Sequence, residues 1–214
     1  QRQMCIRDSL ATVAAWNRKN APFLGTWDYL FGYGFIIPRS MTRIVADSIP
    51  ALHERGVRAY FSQIAAVWPY DGHTNWLLTR LLWNTGLDPE VLIDEYFREF
   101  FGPAGDPMRA FFDHAESVWM KQSGQGWWLR YWKDPWQVAL YRPKDLELMS
   151  GHLEQAEQAA SRLGVSGPER GLPFSRFSER IELTRRMFNL TRALHAYQTH
   201  VWEAVSAIGP DGFR

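Results

Sequence analysis

The apolar positions between residues 74 and 102 repeat at helical spacing on both sides of a clear break. The first helix presents a wide apolar face, formed by Trp76, Leu77, Leu81 and Trp83. The second helix is more aromatic, with an apolar face formed by Leu92, Ile93, Tyr96, Phe97, Phe100 and Phe101. Gly86 favours the end of the first helix, and Asp88 and Pro89 are typical of a helix start. A helix this aromatic predicts a large packing partner.

Two apolar runs separated by a helical pattern predict a parallel βαβ unit. Residues 23–30, FLGTWDYL, have a continuous apolar character, which is typical of a buried parallel strand rather than an alternating surface strand. Residues 57–65, VRAYFSQIA, are predicted to form a second buried strand. Between them, Ser40 is the predicted cap of a helix that ends at Gly56. Pro50 is expected to kink or interrupt this helix near its end. The order strand, helix, strand predicts a right-handed parallel connection.

The remaining pattern is helical or irregular. A short amphipathic helix is predicted at residues 10–20, and three long helices are predicted at residues 107–122, 143–163 and 174–208. The helix at 143–163 is rich in Glu and Gln, which predicts a position on the outside of the molecule. Two strands are far fewer than the eight that a (β/α)8 barrel needs.

The predicted fold class is therefore mainly α, with a small parallel α/β portion. We expect residues 10–73 to be the last βαβ part of a truncated (β/α)8 barrel. We expect residues 74–214 to be an all-helical carboxyl-terminal region.

Composition narrows the function classes only slightly. The 214 residues carry a formal net charge of +1, which gives no electrostatic reason to expect nucleic acid or a membrane surface as a partner. No apolar run has the length of a membrane span, and the amino-terminal residues lack the apolar core of a signal peptide. A hydrophobic fraction of 46% is enough to build a substantial core.

Residues 1–9, QRQMCIRDS, resemble a translated sequencing-adaptor remnant of the kind found at the ends of metagenomic reading frames. We therefore expect this nonapeptide to be an artefact and the true amino terminus to lie elsewhere. The single cysteine, Cys5, lies in it, so we expect no disulfide, thiol catalysis or thiolate metal site. The compartment stays open.

Several stretches together resemble the family of the domain of unknown function 4838. They are TWDYL, the loop ending IIPR, ALHERGVRAYF, LLTRLLWNTGLDPEVLIDEYFREFFGPAGDPMRAFFD and SRFSERIELTRR. The resemblance covers most of residues 23–200, and its most specific part is the run from the LLW-N motif to FFG. It implies a bacterial, glycoside hydrolase-like protein, distantly similar to alpha-glucuronidases and beta-hexosaminidases. It further implies that the catalytic carboxylates lie upstream of this fragment, and it is compatible with a periplasmic or extracellular location.

The end of the first predicted strand carries candidate sugar-binding residues. In a (β/α)8 barrel the active site forms at the carboxyl ends of the strands. Asp28 is a candidate for hydrogen bonds to sugar hydroxyls, and Trp27 or Tyr29 is a candidate for stacking on a pyranose face, with Tyr33 beyond them. The alternative is that the two aromatic residues pack between barrel and helix and that Asp28 caps a turn.

The end of the second predicted strand carries a further group, formed by Ser62, Gln63, Trp68, Tyr70, Asp71 and His73. The resemblance implies an acidic residue near Gln63, so an amide there argues against a catalytic role and leaves sugar binding open. Trp68 with Tyr70 in a short loop is similar to a sugar-stacking platform, or either residue is a lid on the core. His73 is a candidate site residue or an ordinary cap of the following helix.

No catalytic pair is evident from the sequence. Glycoside hydrolysis normally needs two carboxylates across the scissile bond, and Asp28 and Asp71 are the only acidic residues at the predicted strand ends. The aromatic stretch at residues 127–136 is either a carbohydrate groove or, as we favour, a set of anchors for a long connection. Phosphate-loop, metal-ligand and Ser-His-Asp patterns are not visible, so no cofactor or metal is expected.

The sequence thus predicts a fragment of a carbohydrate-active protein that supplies sugar-binding residues and structural support, with an oligo- or polysaccharide as substrate. One alternative is a non-catalytic carbohydrate-binding or scaffold protein that has lost its acids, as Gln63 would suggest. Another is a purely helical interaction module with residues 23–65 appended, which a far-ultraviolet spectrum without a sheet contribution would favour.

The truncated-barrel interpretation makes a direct prediction about the isolated chain. Missing neighbours would leave the strand at residues 23–30 with an open edge and uncovered apolar side chains. We expect the chain expressed alone to aggregate or to bind a hydrophobic dye, as measured by light scattering and dye fluorescence. A monomer that melts sharply and binds no dye would contradict the fragment interpretation.

Overall fold

The structure is a computed structural model, and it describes residues 2–30, 34–63, 67–121, 135–162 and 175–208. Within these residues the chain is mainly helical, with a small parallel sheet, which confirms the coarse fold class predicted from the sequence. The prediction that this sheet is the end of a (β/α)8 barrel stays a prediction.

The described elements comprise seven α-helices and two strands. The helices are α1 Arg2–Arg18, α2 Thr42–Glu54, α3 Trp68–Trp83, α4 Pro89–Phe101, α5 Gly105–Met120, α6 Pro143–Ser161 and α7 Ser175–Ile208. The strands are β1 Leu24–Asp28 and β2 Val57–Ser62, and two 3-10 segments lie at Gly102–Ala104 and Pro135–Leu140.

The strands β1 and β2 pair in parallel, as the βαβ pattern predicts. Trp27 lies opposite Phe61 and Asp28 opposite Ser62, with an irregularity in the register between Leu24 and Gly25. The prediction that both strands are fully buried is wrong for the residues described, because side chains on one face of the sheet are exposed. The helices cover only the other face, so the strands alternate in burial along their length.

Helix starts follow their capping chemistry, with one displacement from the sequence prediction. Asp88 caps α4 as predicted, since its carboxylate accepts a hydrogen bond from the Glu90 N–H at 2.8 Å. However, α3 begins at Trp68 rather than near residue 74, because Pro69 occupies its first turn. The residues from Trp68 to His73 are therefore helical and do not form a loop, which corrects the predicted loop platform.

Helix α2 also differs in detail from its prediction. It begins at Thr42, and Ser40 lies outside it, so Ser40 is not its cap. Pro50 lies inside α2 without ending it. Gly56 follows the helix with φ of 87°, a left-handed conformation that glycine adopts without a steric penalty.

Helix α4 packs on α3, α5 and α7, which together form the large packing partner predicted from its aromatic face. The rings of Phe97 and Phe112 lie 5.8 Å apart, and α5 continues the cluster to α7 through Phe111 and Phe188 at 5.3 Å. Helix α6 is less external than its polar composition suggests, since one side is buried in the same core. Its buried residues are Asp145, Leu146, Met149, Ser150, Leu153 and Ala156.

A buried carboxylate fastens the βαβ unit to the helical region. Glu116 of α5 is 1% exposed and lies at the amino terminus of α2. It accepts hydrogen bonds from the Thr42 hydroxyl at 2.8 Å and from the Arg43 N–H at 2.9 Å. The residue before α2, Met41, provides no side-chain cap. Glu116 therefore accepts hydrogen bonds from donors that would otherwise be unsatisfied at the start of this helix. Burial raises the pKa of Glu116, and its hydrogen bonds to Arg43 and Thr42 oppose that shift.

Removing this carboxylate should weaken the whole fold. We expect Glu116→Ala to lower the free energy of unfolding by about 2–3 kcal/mol, because it leaves buried donors without an acceptor. Glu116→Gln keeps an acceptor oxygen and should cost less. Urea unfolding followed by circular dichroism measures both changes.

The matched control is Glu182→Ala, which removes an exposed carboxylate that pairs with Arg186 on α7. That change should stay within about 0.5 kcal/mol of the parent. Equal losses for Glu116→Ala and Glu182→Ala would show that the buried contact does not join the two parts.

Candidate functional site

Three aromatic side chains share the open face of the sheet, and we call them the aromatic face: Trp27, Tyr29 and Phe61. Trp27 is 64% exposed and Phe61 is 54% exposed, although both are large apolar residues. Their rings meet edge to face with centroids 4.9 Å apart, and Tyr29 lies 5.9 Å from Trp27. The sequence predicted a role for Trp27 and Tyr29, and it missed Phe61.

Strand alternation explains why these rings gather on one face. Trp27 and Phe61 are direct partners across the parallel pair, so their side chains leave the sheet in the same direction. Behind them, Gly25 lies opposite Ala59, and a Cβ at Gly25 would lie only 3.3 Å from the Ala59 Cβ. Both residues are small, so they do not cover the rings of Trp27 and Phe61, which stay exposed. Phe61 was missed because its place beside Trp27 depends on the register of the two strands, which only the structure shows.

Asp28 points to the opposite side of the sheet from Trp27. Its carboxylate accepts a hydrogen bond from the Tyr29 N–H at 2.7 Å and one from the Tyr60 hydroxyl at 3.4 Å. Burial, together with the neighbouring Asp28 charge, raises the pKa of Tyr60, so this phenol stays a proton donor. Asp28 therefore has local partners in the fold and is not on the same face as the stacking residues.

Arg39 lies buried behind the strand ends, and sequence analysis did not identify it as a candidate site residue. It is 3% exposed, and its guanidinium stacks over the Phe35 ring at 4.2 Å and the Trp119 ring at 5.0 Å. Burial lowers its pKa to about 10, while the charges of Asp71 and Asp28 oppose that shift. Arg39 thus remains a cation at neutral pH inside an aromatic sandwich. Its only signal in the sequence was its place after Pro38 in the loop beyond β1.

Asp71 lies in the first turn of α3 and is 2% exposed. It is the stronger of the two acidic neighbours of Arg39, and Asp28 is the other. Both candidate carboxylates therefore act on one buried guanidinium, although they follow different strands. The arrangement suits positioning of the loops that follow the two strands.

His73 is also buried, and its surroundings are mostly aromatic. Its ring lies 4.3 Å from the Phe112 ring, and its Nε2 lies 2.9 Å from the Ser40 hydroxyl. Burial lowers the pKa of His73 to about 3. The ring is therefore neutral at physiological pH. Since His73 lies in the second turn of α3, the suggestion that it caps a helix is wrong.

The other predicted site residues separate into exposed and core positions. Gln63 directly follows β2 and is exposed, and Trp68 is 48% exposed at the start of α3. Tyr70 is 2% exposed in the core beside the Thr191 hydroxyl at 3.4 Å, so it is not part of a surface platform. The contacts of the described residues do not join Trp68 to the aromatic face. Tyr33 and the aromatic stretch at 127–134 lie outside the described residues, as does the side chain of Trp136.

Among the described residues, no group of three or more His, Cys, Asp or Glu side chains is arranged to hold a metal ion. None of the described helices has the length and apolar character needed to cross a membrane. The described residues of the candidate site form an exposed aromatic face beside a buried cation with two acidic neighbours.

A family model described as "Domain of unknown function (DUF4838)" matches residues 2–113. The match covers more than half of the 214 residues and contains both strands, Arg39 and the start of α3. It also covers most of the nonapeptide at residues 1–9, whose assignment as an artefact stays a prediction. Comparison with curated proteins gave no match, and comparison with solved structures gave none.

The buried state of His73 predicts a pH dependence of stability. Because the pKa of His73 is lowered in the folded state, this imidazole is protonated in the unfolded chain as the pH falls through about 6.5, while it stays neutral in the folded chain. Stability is then lost progressively between that pH and about 3. From about pH 7.5 to about pH 5 we expect His73 to contribute a loss of about 2 kcal/mol in unfolding free energy.

Urea unfolding at several pH values checks this expectation. His73→Gln should show a smaller loss of stability on acidification, since an amide does not titrate. His200→Gln, at a site with a 78% exposed side chain, should keep the parental pH dependence. If His73→Gln loses as much stability on acidification as the parent, the buried neutral imidazole is not the cause.

Proposed function

We propose that this chain, which belongs to the DUF4838 family, is the carboxyl-terminal part of a glycoside hydrolase-like protein. We further propose that it binds carbohydrate through the aromatic face. In this proposal the chain contributes sugar-binding residues and structural support. The catalytic carboxylates belong to other parts of the parent protein.

The observation that carries the proposal is the exposed pair Trp27 and Phe61 at the carboxyl ends of parallel strands. Two large rings in edge contact keep an apolar surface in water, which has an unfavourable free energy unless something covers it. The C–H face of a pyranose ring is flat and apolar, and an indole ring is a suitable surface for it. Ser62 and Gln63 lie at the neighbouring strand end and offer hydrogen-bonding groups to sugar hydroxyls.

The carboxylates of the described residues support a binding role rather than a catalytic one. A glycosidase needs one carboxylic acid that keeps its proton near neutral pH and a second carboxylate across the scissile bond. Asp28 and Asp71 both interact with the buried cation Arg39, so both already have a structural partner in the fold. Asp28 also lies on the side of the sheet away from Trp27. We assign these two residues to shaping the strand ends.

The sheet itself supports a larger barrel in the parent protein. Parallel sheets are normally covered on both faces, and a two-stranded sheet is seldom stable by itself. Here helices cover one face, and the other carries the aromatic face. In a completed (β/α)8 barrel, this open face would line the interior near the carboxyl-terminal mouth, where substrates bind.

A non-catalytic carbohydrate-binding or scaffold protein is the alternative. The amide of Gln63 favours it, because the resemblance implies an acidic residue near that position. Both functions use the same aromatic face for binding, so activity of a longer parent protein distinguishes them. A parent protein that binds glycans tightly and hydrolyses none would favour the alternative.

The binding role is tested with this chain and a panel of soluble oligosaccharides of different sugar and linkage. Isothermal titration calorimetry should find at least one oligosaccharide that binds. Trp27→Ala should raise the dissociation constant of that oligosaccharide by about tenfold. The matched control is Trp83→Ala at the end of α3, where the indole is 91% exposed. That variant should bind as the parent does.

Two outcomes would contradict the proposal. One is that no oligosaccharide of the panel binds to the folded chain. The other is that Trp27→Ala and Trp83→Ala weaken binding equally, since the aromatic face would then have no specific part in it.

A further inference from the structure

Helix α7 carries a buried stripe and, beside it, a second stripe that is apolar. The first stripe packs on the body of the protein and is formed by Ile181, Thr184, Phe188, Thr191 and Gln198, each at most 7% exposed. Three of its five members are polar, and Thr184 and Thr191 donate hydrogen bonds to backbone carbonyls. One stripe is sufficient to hold a helix on a core. A second stripe therefore needs its own explanation.

The second stripe lies beside the first, and we call it the outer stripe. It is formed by Leu183, Met187, Leu190, Leu194, Tyr197 and Val201. Leu183 and Leu190 are each 51% exposed, and Tyr197 is 67% exposed. Met187 and Leu194 lie on the border with the body and are half-buried. The outer stripe thus exposes large apolar side chains along a single line of the helix.

The spacing of the outer stripe is a heptad repeat. Its members alternate at steps of four and three residues from Leu183 to Val201, and Ala204 continues the pattern. This spacing places every member on one seam and matches the a and d positions of a coiled coil. From residue 183 to residue 204 the seam is ~33 Å long at 1.5 Å per residue. Other exposed apolar residues, such as Leu148 and Val91, have no such repeat.

We propose that α7 pairs with α7 of a second copy of this chain, through the outer stripe, as a parallel two-stranded coiled coil. This interface is separate from the aromatic face and does not depend on sugar binding. A twofold pair needs a self-complementary surface, and the outer stripe is uncharged along its length. The d positions hold Leu183, Leu190 and Tyr197, and the a positions hold Met187, Leu194 and Val201. Leucine at d and a β-branched residue at one of the three a positions are compatible with two strands.

The flanks of the outer stripe are compatible with a second copy. On the free flank, Glu182 pairs with Arg186, and His200 lies 3.3 Å from Glu203. Charges of both signs are present there, so a like copy meets no net repulsion. The opposite flank faces the body of the same chain. A parallel pair places the two bodies on opposite sides of the coiled coil, whereas an antiparallel pair would place them on the same side.

Sedimentation equilibrium over a roughly hundredfold range of protein concentration tests the pairing. The unsubstituted chain should follow a monomer–dimer equilibrium. Leu190→Lys should raise the dissociation constant of the dimer about a hundredfold, because each dimer loses two buried leucines. Leu148→Lys is the matched control, since Leu148 is 47% exposed on α6. It should leave the dimer unchanged. Circular dichroism and thermal melting check that each variant is folded.

A further variant separates this interface from the aromatic face. Trp27→Ala should leave the dimer intact, whereas loss of association in that variant would overturn the proposal. The proposal would also be overturned if the folded, unsubstituted chain were monomeric at every concentration. It would be overturned as well if Leu190→Lys left the association unchanged.

Orientation is tested by cross-linking. In a Cys5→Ser background, Leu190→Cys places one thiol at a d position, and a parallel pair brings the two thiols together. Mild oxidation should give a covalent dimer, and Leu148→Cys should give none. A dimer that Leu190→Cys does not cross-link would overturn the parallel arrangement.

Discussion

The burial of charged groups between the βαβ unit and the helical region is the constraint on which this structure depends. Glu116 reaches from α5 to the start of α2, and Arg39 stacks between Phe35 and the Trp119 ring of α5. Removing one partner of a buried ionic contact leaves an uncompensated charge or an unsatisfied donor, which is far more costly than losing a surface pair. The two parts therefore act as one body, with the strand ends held against α3 and α5.

This constraint separates the polar residues near the strand ends from the exposed aromatic ones. Asp71 and Asp28 are neighbours of Arg39, so their charges help to hold the loops that follow the strands. Trp27 and Phe61 point away from that network and stay in contact with solvent. A buried polar support behind exposed aromatic side chains is compatible with the proposed binding of sugar, because side chains that are already held in place lose little entropy on binding.

The molecule exposes two apolar surfaces of different character. The aromatic face is short and lies on two strands, whereas the outer stripe of α7 is a long seam with a heptad repeat. An exposed indole ring fits a planar apolar ligand, and a heptad seam fits a helix. Their separate locations on the sheet and on α7 mean that association and ligand binding need not compete.

The sequence alone determined the helices with strong periodicity, the capping of α4 by Asp88, the parallel pair of strands and the resemblance to the family. These features depend on neighbours within a few turns or on a recognisable motif. Tertiary structure alone decided that Glu116, at a helix position typical of solvent, is buried at the start of α2. It also decided that Arg39 is buried, which face of the sheet the helices leave open, and that Phe61 joins Trp27. Each of these outcomes depends on contacts between residues distant in sequence, which no local pattern of residue types encodes.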